Sequence, residues 1–220
     1  MELHRQPTRQ VDIIYVIPTQ ALGPTAWAKL LYFRDRTDNE VGGFGITRAD
    51  DLLYVEEFLT VCQEVTCVSV KFDDEAMTNF FETQVDLGRR PEQFARVWLH
   101  SHPGNSPKPS GTDHDTFARV FGGCQCALMF IIARNDACHA RLDSNIGPGG
   151  QVLIPVAVDY RRPFGPSGQE SWEAEVHDDF EIWLSSDEEG NDFPPMPANP
   201  QLSLATDREQ RRVILFPSHR

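Results

Sequence analysis

His100 and His102 stand one residue apart, Asp113 follows after a Pro- and Gly-rich loop, and Glu40 lies far upstream in "NEVGGFG". Side chains two apart on a strand project to the same side, so both imidazoles can address one point while Ser101 faces away. Pro103, Gly104, Pro107, Pro109 and Gly111 make the intervening segment a chain-reversing loop that can return Asp113 to the strand's end, at the start of a helix. Two imidazoles and one carboxylate, with a fourth position left for water, are the donor set of a catalytic zinc site rather than of a closed structural one. Water activated by Zn2+ still needs an acceptor for its proton, and Glu40, a carboxylate at the start of a strand, is the candidate.

Each of these residues also has a plainer role. Ser110 to Asp113 has the S-x-x-D form of a capping box, and Thr112 to Asp115 repeats it as T-x-x-D, so either acid can simply start the helix. The upstream H-x-H pair favours the ligand role for Asp113, and only the assembled pattern raises Glu40 above a solvated acid before a strand. Cys124 and Cys126 lie in an apolar run without a second pair and read as packing. His114 is either a neighbour of the ligand shell or an exposed helix residue, and His4, His139, His177 and His219 belong to no constellation.

The elements that must carry this set can be read in outline. "VDIIYVIP" (11–18) is a β-branched run closed by Pro18, and "TAWAKLLYFRD" has helical spacing from Pro24 or Thr25. "EVGGFGI" is extended chain. "LLYVEEFLTV" and "VTCVSVKFD" read as a strand pair. "DDEAMTNFFETQVDLG" is a helix with acids in its first turn, ending at Gly88. "QFARVWLHSH" is a buried strand, "TDHDTFARVFGG" a short helix, and "CALMFIIAR" and "CHARLDS" two strands joined at Asn135 and Asp136. "VLIPVAVDY" is expected as the last core strand. In "SWEAEVHDDFEIWL" the apolar residues fit helix and strand spacing alike.

"HSHPGNSPKPSGTD" resembles the signature of the JAMM, or MPN-plus, zinc metalloprotease family: His-x-His-Pro, six residues, then Ser-x-x-Asp, with an upstream Glu. His100, His102, Pro103, Ser110 and Asp113 match it, and "EVGGF" resembles the upstream element carrying Glu40. The resemblance implies an α/β fold of MPN or cytidine-deaminase-like type, with a curved, mostly antiparallel sheet flanked by helices. It implies one catalytic Zn2+ on His100, His102 and Asp113, with Glu40 as general base and Ser110 as hydrogen-bond donor to the oxyanion. It further implies hydrolysis of the amide joining the C-terminus of ubiquitin or a ubiquitin-like modifier to an amine, with such conjugates as partners. The alternatives are a catalytically silent MPN scaffold and an amidase acting on a sulfur-carrier or small-molecule conjugate. Phe44, Val68 and Val70 are either groove or core residues.

The 220 residues suffice for one cored domain, expected at 1–162, and an appendage at 163–220. Of the formal charge of −13, most falls between 163 and 200, which hold ten acids and no Lys or Arg. This balance argues against surfaces for nucleic acid or anionic membranes, and leaves the acidic extension as a possible contact for a partner protein. Five cysteines, an odd set, fit reduced thiols, and no signal-like or membrane-spanning run is present, so a soluble, cytoplasmic protein is expected.

Overall fold

The structure, a computed structural model, describes residues 18–166 and 168–179. In chain order its elements are β1 (Gln20–Leu22), α1 (Pro24–Arg36), β2 (Gly42–Thr47), β3 (Tyr54–Leu59), β4 (Gln63–Thr66), β5 (Ser69–Phe72), α2 (Asp74–Asp86), α3 (Pro91–Phe94), β6 (Val97–His102), α4 (Gly111–Phe121), β7 (Cys126–Ala133), β8 (Cys138–Ser144), β9 (Gly150–Leu153), β10 (Val156–Val158) and α5 (Gln169–Asp179). The strand expected at 11–18 lies outside the described residues except for Pro18, and "RRVILFP" lies wholly outside them.

Eight strands form one sheet in the order β10-β1-β3-β2-β6-β7-β8-β9, while β4 and β5 form a separate hairpin. The expectation of a mostly antiparallel sheet is corrected: β1 is parallel to both β10 and β3, and β6 is parallel to β7, so the sheet is mixed. The cause is the connections. The crossover through α4 carries the chain from the end of β6 back to the start of β7, which a tight hairpin cannot do. The expected strand pair at 52–73 is likewise three strands, because β3 joins the main sheet and leaves β4 and β5 to pair with each other.

"VLIPVAVDY" is two strands rather than one. Ile154 and Pro155 separate β9, which pairs with β8, from β10, which pairs with β1 at the opposite edge. Three peptide steps from Leu153 to Val156 span at most about 11 Å, so the two edges of an eight-stranded sheet are brought close together and the sheet must curl.

Each face of the curled sheet carries an apolar layer. On one side α1 buries Ala26, Trp27, Leu30 and Phe33, a helical stripe, against Val97, Leu99, Leu128 and Phe130. Pro24 at its first position and Arg34 and Arg36 in its last turn suit the two ends of a helix. "SWEAEVHDD" is helical: α5 docks on α1, with Trp172 against Tyr32 and ion pairs Lys29–Glu175 and Arg36–Glu173. On the other side α4 packs Phe117 and Phe121 onto Trp98 and Phe44, joined by Val65, Val70 and Phe72 of the hairpin. Phe44 and Val70 are therefore core, whereas Val68 is exposed at the hairpin turn. Among the described residues no helix is long and apolar enough to cross a membrane.

Strand β2 depends on close approach. A Cβ at Gly43 would lie 2.4 Å from the backbone oxygen of Leu59. Gly43→Ala should therefore destabilise the fold by about 1–3 kcal/mol, read by denaturant unfolding. An unchanged midpoint would show that β2 and β3 can separate at no cost.

Candidate metal centre

The alternation expected along β6 is realised. All six of its residues are buried, with Trp98 and His100 in the layer under α4 and Val97 and Leu99 in the layer under α1. His100 lies opposite Gly42 on β2 and Ile131 on β7. His102 lies at the strand's carboxyl end, opposite Ala133. The indole of Trp98 stacks on the His100 ring at 3.9 Å and 18°, which fixes the plane of that imidazole. His102 is fixed differently: its Nδ1 is 2.9 Å from the Ser106 carbonyl oxygen, so Nδ1–H donates there and the Nε2 lone pair faces the site.

The proline-rich loop then delivers α4. Ser110 is its N-cap: the hydroxyl accepts from the Asp113 N–H at 3.1 Å, and the Asp113 carboxylate accepts from the Ser110 N–H at 2.6 Å. This decides between the two boxes, since Asp113 is buried whereas Thr112 and Asp115 are exposed. Capping and ligation are compatible, because the same carboxylate also faces both imidazoles. Asp113 Oδ1 is 3.3 Å from His100 Nε2, and Oδ2 is 3.4 Å from His102 Nε2. Glu40 completes the group, with Oε1 3.5 Å from His102 Nε2.

Glu40, His100, His102 and Asp113 thus bring ligand atoms within 4.8 Å of one another, all four buried, and could hold a metal ion. The donor set fits such an ion on two counts. Bonds of about 2.0–2.1 Å to a tetrahedral ion separate neighbouring donor atoms by about 3.3–3.4 Å, and each imidazole Nε2 lies that far from one oxygen of Asp113, Oδ1 for His100 and Oδ2 for His102. In addition, Nε2 of both histidines and Oε2 of Glu40 are buried without a hydrogen-bond partner, a costly arrangement that a cation and its water would relieve.

Burial and mutual contact together set the electrostatics of the four groups. Burial pushes the Glu40 carboxyl up to about 7, with His102 opposing and Asp113 adding to the shift. Burial also acts to raise Asp113, but the close approach of the His100 and His102 imidazoles outweighs it and holds this carboxyl well below the usual range. Burial lowers the His100 imidazole. It acts to lower His102 as well, yet the Asp113 and Ser106 contacts reverse the direction and raise it. A dication at the centre would favour the ionised form of both acids and the neutral form of both imidazoles.

The sequence did not single out Trp98, Ser101, Gln63 or Thr66. Trp98 was within reach of the same alternation, standing two residues before His100. The others hold the chain around Glu40 through contacts between distant segments. Glu40 N–H donates to the Thr66 carbonyl at 2.9 Å, Val41 N–H to Ser101 Oγ at 3.1 Å, and Gly42 N–H to Gln63 Oε1 at 2.9 Å. His139 sits on β8 in the row His100–Ile131–His139 with a buried, unpartnered Nε2. His114 is exposed and accepts from Arg141 at 3.1 Å, away from the ligand set. Cys124 and Cys126 are half-buried free thiols, and Cys124 donates to the Ala95 carbonyl.

No protein-family model matches the chain, and no curated protein is significantly similar to it.

Titration with Zn2+ or Co2+ should saturate at one ion per chain and raise the melting temperature. At a hundredfold excess over Kd the gain is about 2.7 kcal/mol, or roughly 5–10 °C for a domain of this size. His102→Ala should abolish the rise, and an equal rise in that variant would remove His102 from the ligand set.

Proposed function

We propose that this protein is a zinc-dependent peptidase of the JAMM type that hydrolyses the amide at the C-terminus of ubiquitin or a ubiquitin-like modifier. One observation carries the chemistry: two imidazoles and a carboxylate, all buried, bring ligand atoms within 4.8 Å of one another, with a second buried carboxylate in the same group. Two nitrogens and one oxygen leave a corner of a tetrahedral ion open, as catalytic rather than structural sites do. The substrate class and the MPN-type fold rest on the motif shared by His100, His102, Pro103, Ser110, Asp113 and Glu40.

His100, His102 and Asp113 would hold a zinc ion, which would supply the Lewis acidity that activates water and polarises a carbonyl. Glu40 takes the proton from the attacking water and later delivers it to the departing amine. Among the described residues no group donates a hydrogen bond to its Oε2, which leaves this oxygen to accept. Burial pushes the Glu40 carboxyl up to about 7, and a cation held beside it would favour the ionised base. Ser110 Oγ accepts from Asp113 N–H, which leaves the hydroxyl proton available to donate to the oxyanion. His102 keeps its Nε2 toward the ion because Ser106 holds the other nitrogen.

Glu40→Gln should bind zinc with wild-type stoichiometry and lower turnover of a modifier-C-terminal amide reporter by at least about a hundredfold. A chelator should abolish turnover of the wild type, and added Zn2+ should restore it. Wild-type turnover in Glu40→Gln would remove that residue from the proton transfer. A zinc-loaded protein inert toward a panel of ubiquitin-like and sulfur-carrier conjugates would favour a scaffold.

A further inference from the structure

Ser101 stands between the two histidines with its side chain off the metal, 1 % exposed. Its position on the ladder is unusual. Strands β2 and β6 pair antiparallel with Gly42 opposite His100, so Val41 lies opposite Ser101 as the next rung. One bond of that rung is ordinary: Ser101 N–H donates to the Val41 carbonyl at 2.9 Å. The return bond is not made to the Ser101 carbonyl, as a regular antiparallel pair would make it, but to the Ser101 hydroxyl, at 3.1 Å.

On its other side this stretch of chain also lacks a strand neighbour. The β2–β3 register begins only at Phe44 and Leu59. Here the Gln63 side chain, fully buried, takes the place of a strand: its Oε1 accepts from Gly42 N–H, and its Nε2 donates to the carbonyls of Gly42 and Val61, each at 2.9 Å. The backbone of Glu40 is tied by its N–H to the Thr66 carbonyl. Two side chains, Ser101 and Gln63, therefore take the N–H groups of the two residues that follow Glu40, alongside the one backbone bond from Ser101 N–H to Val41.

We propose that Ser101 is a positioning residue that acts through Val41 to hold the Glu40 carboxylate at the metal centre, with Gln63 bracing the opposite side. The same short segment of β6 thereby sets both the ligands and the proton acceptor: His100 and His102 turn to the ion, and the hydroxyl between them fixes the distance to Glu40. The inference rests on the peptidase reading only for its effect on rate; the clamp itself is a property of the folded chain.

The test uses the full chain with Ser101→Ala, Ser101→Cys and Ser101→Thr. Cysteine is nearly the same size as serine but a poor acceptor, and it serves should the alanine variant fail to fold; threonine retains the hydroxyl. The Ala or Cys variant should show faster amide exchange at Val41, zinc affinity within about twofold of wild type, and a kcat about ten- to a hundredfold lower with KM unchanged. Threonine should restore kcat. In a Glu40→Gln background the Ala substitution should lower the residual rate no further, since the two act through one group. Without substrate, the carboxyl 13C resonance of Glu40 should move on zinc addition in the wild type and markedly less in the Ala or Cys variant. Unchanged Val41 exchange, an unchanged kcat, zinc affinity lost in parallel with rate, or full additivity with Glu40→Gln would each overturn the proposal. If the wild type cleaves no conjugate, the peptidase reading fails, while Val41 exchange and the Glu40 resonance still decide the clamp.

Discussion

Four ionisable side chains are buried where their unpaired acceptor atoms face one another, and the surrounding structure has to hold them there. Taking charged or polar groups out of water costs several kcal/mol each unless something compensates. The partial compensation within the chain is visible: the Ser106 carbonyl on His102, the capping box on Asp113, and the mutual contacts of Asp113 with both imidazoles. Among the atoms left without a hydrogen-bond partner within the described residues, Nε2 of both histidines belongs to a buried group with Glu40 that could hold a metal ion.

Packing around the four residues sets where each of them stands. The aromatic layer of Trp98, Phe117, Phe121 and Phe44 locks α4 over β6 and so fixes the height of Asp113 above the histidines. The parallel β6–α4–β7 unit sets the helix N-terminus beside the carboxyl end of β6, a common location for ligand sites in sheets of this kind. The positive end of the helix dipole there favours an ionised Asp113. In the same layer as α4, the β4–β5 hairpin packs Val65, Val70 and Phe72 into the core, and its Thr66 carbonyl accepts from Glu40 N–H.

Two features of the periphery bear on how the site is reached. The hairpin turn carrying the exposed Val68 follows Thr66, whose carbonyl holds Glu40, so the rim on that side is a projecting loop rather than a wall. The acidic extension, by contrast, begins with α5 on the opposite face of the sheet. There Glu173 and Glu175 meet Arg36 and Lys29, and Asp179 bonds Thr60. Part of its negative charge is thus spent on docking to α1 rather than offered to a partner.

Local order alone determined much of this protein. The pleat of a strand placed His100 and His102 on one side, Pro24 marked the start of α1, and the S-x-x-D spacing put Asp113 in a first helical turn. These follow from backbone geometry repeating over a few residues, which any sequence window contains. Tertiary packing decided the rest: which of two capping boxes formed, why "VLIPVAVDY" breaks at Pro155 to serve opposite edges, and that three of the sheet's pairings run parallel. It also recruited Ser101, Gln63 and Thr66 to hold the chain at Glu40. Such contacts depend on the register between strands far apart in the chain, and that register is set by how side chains on both faces of the sheet fill space together, information no short stretch of sequence carries.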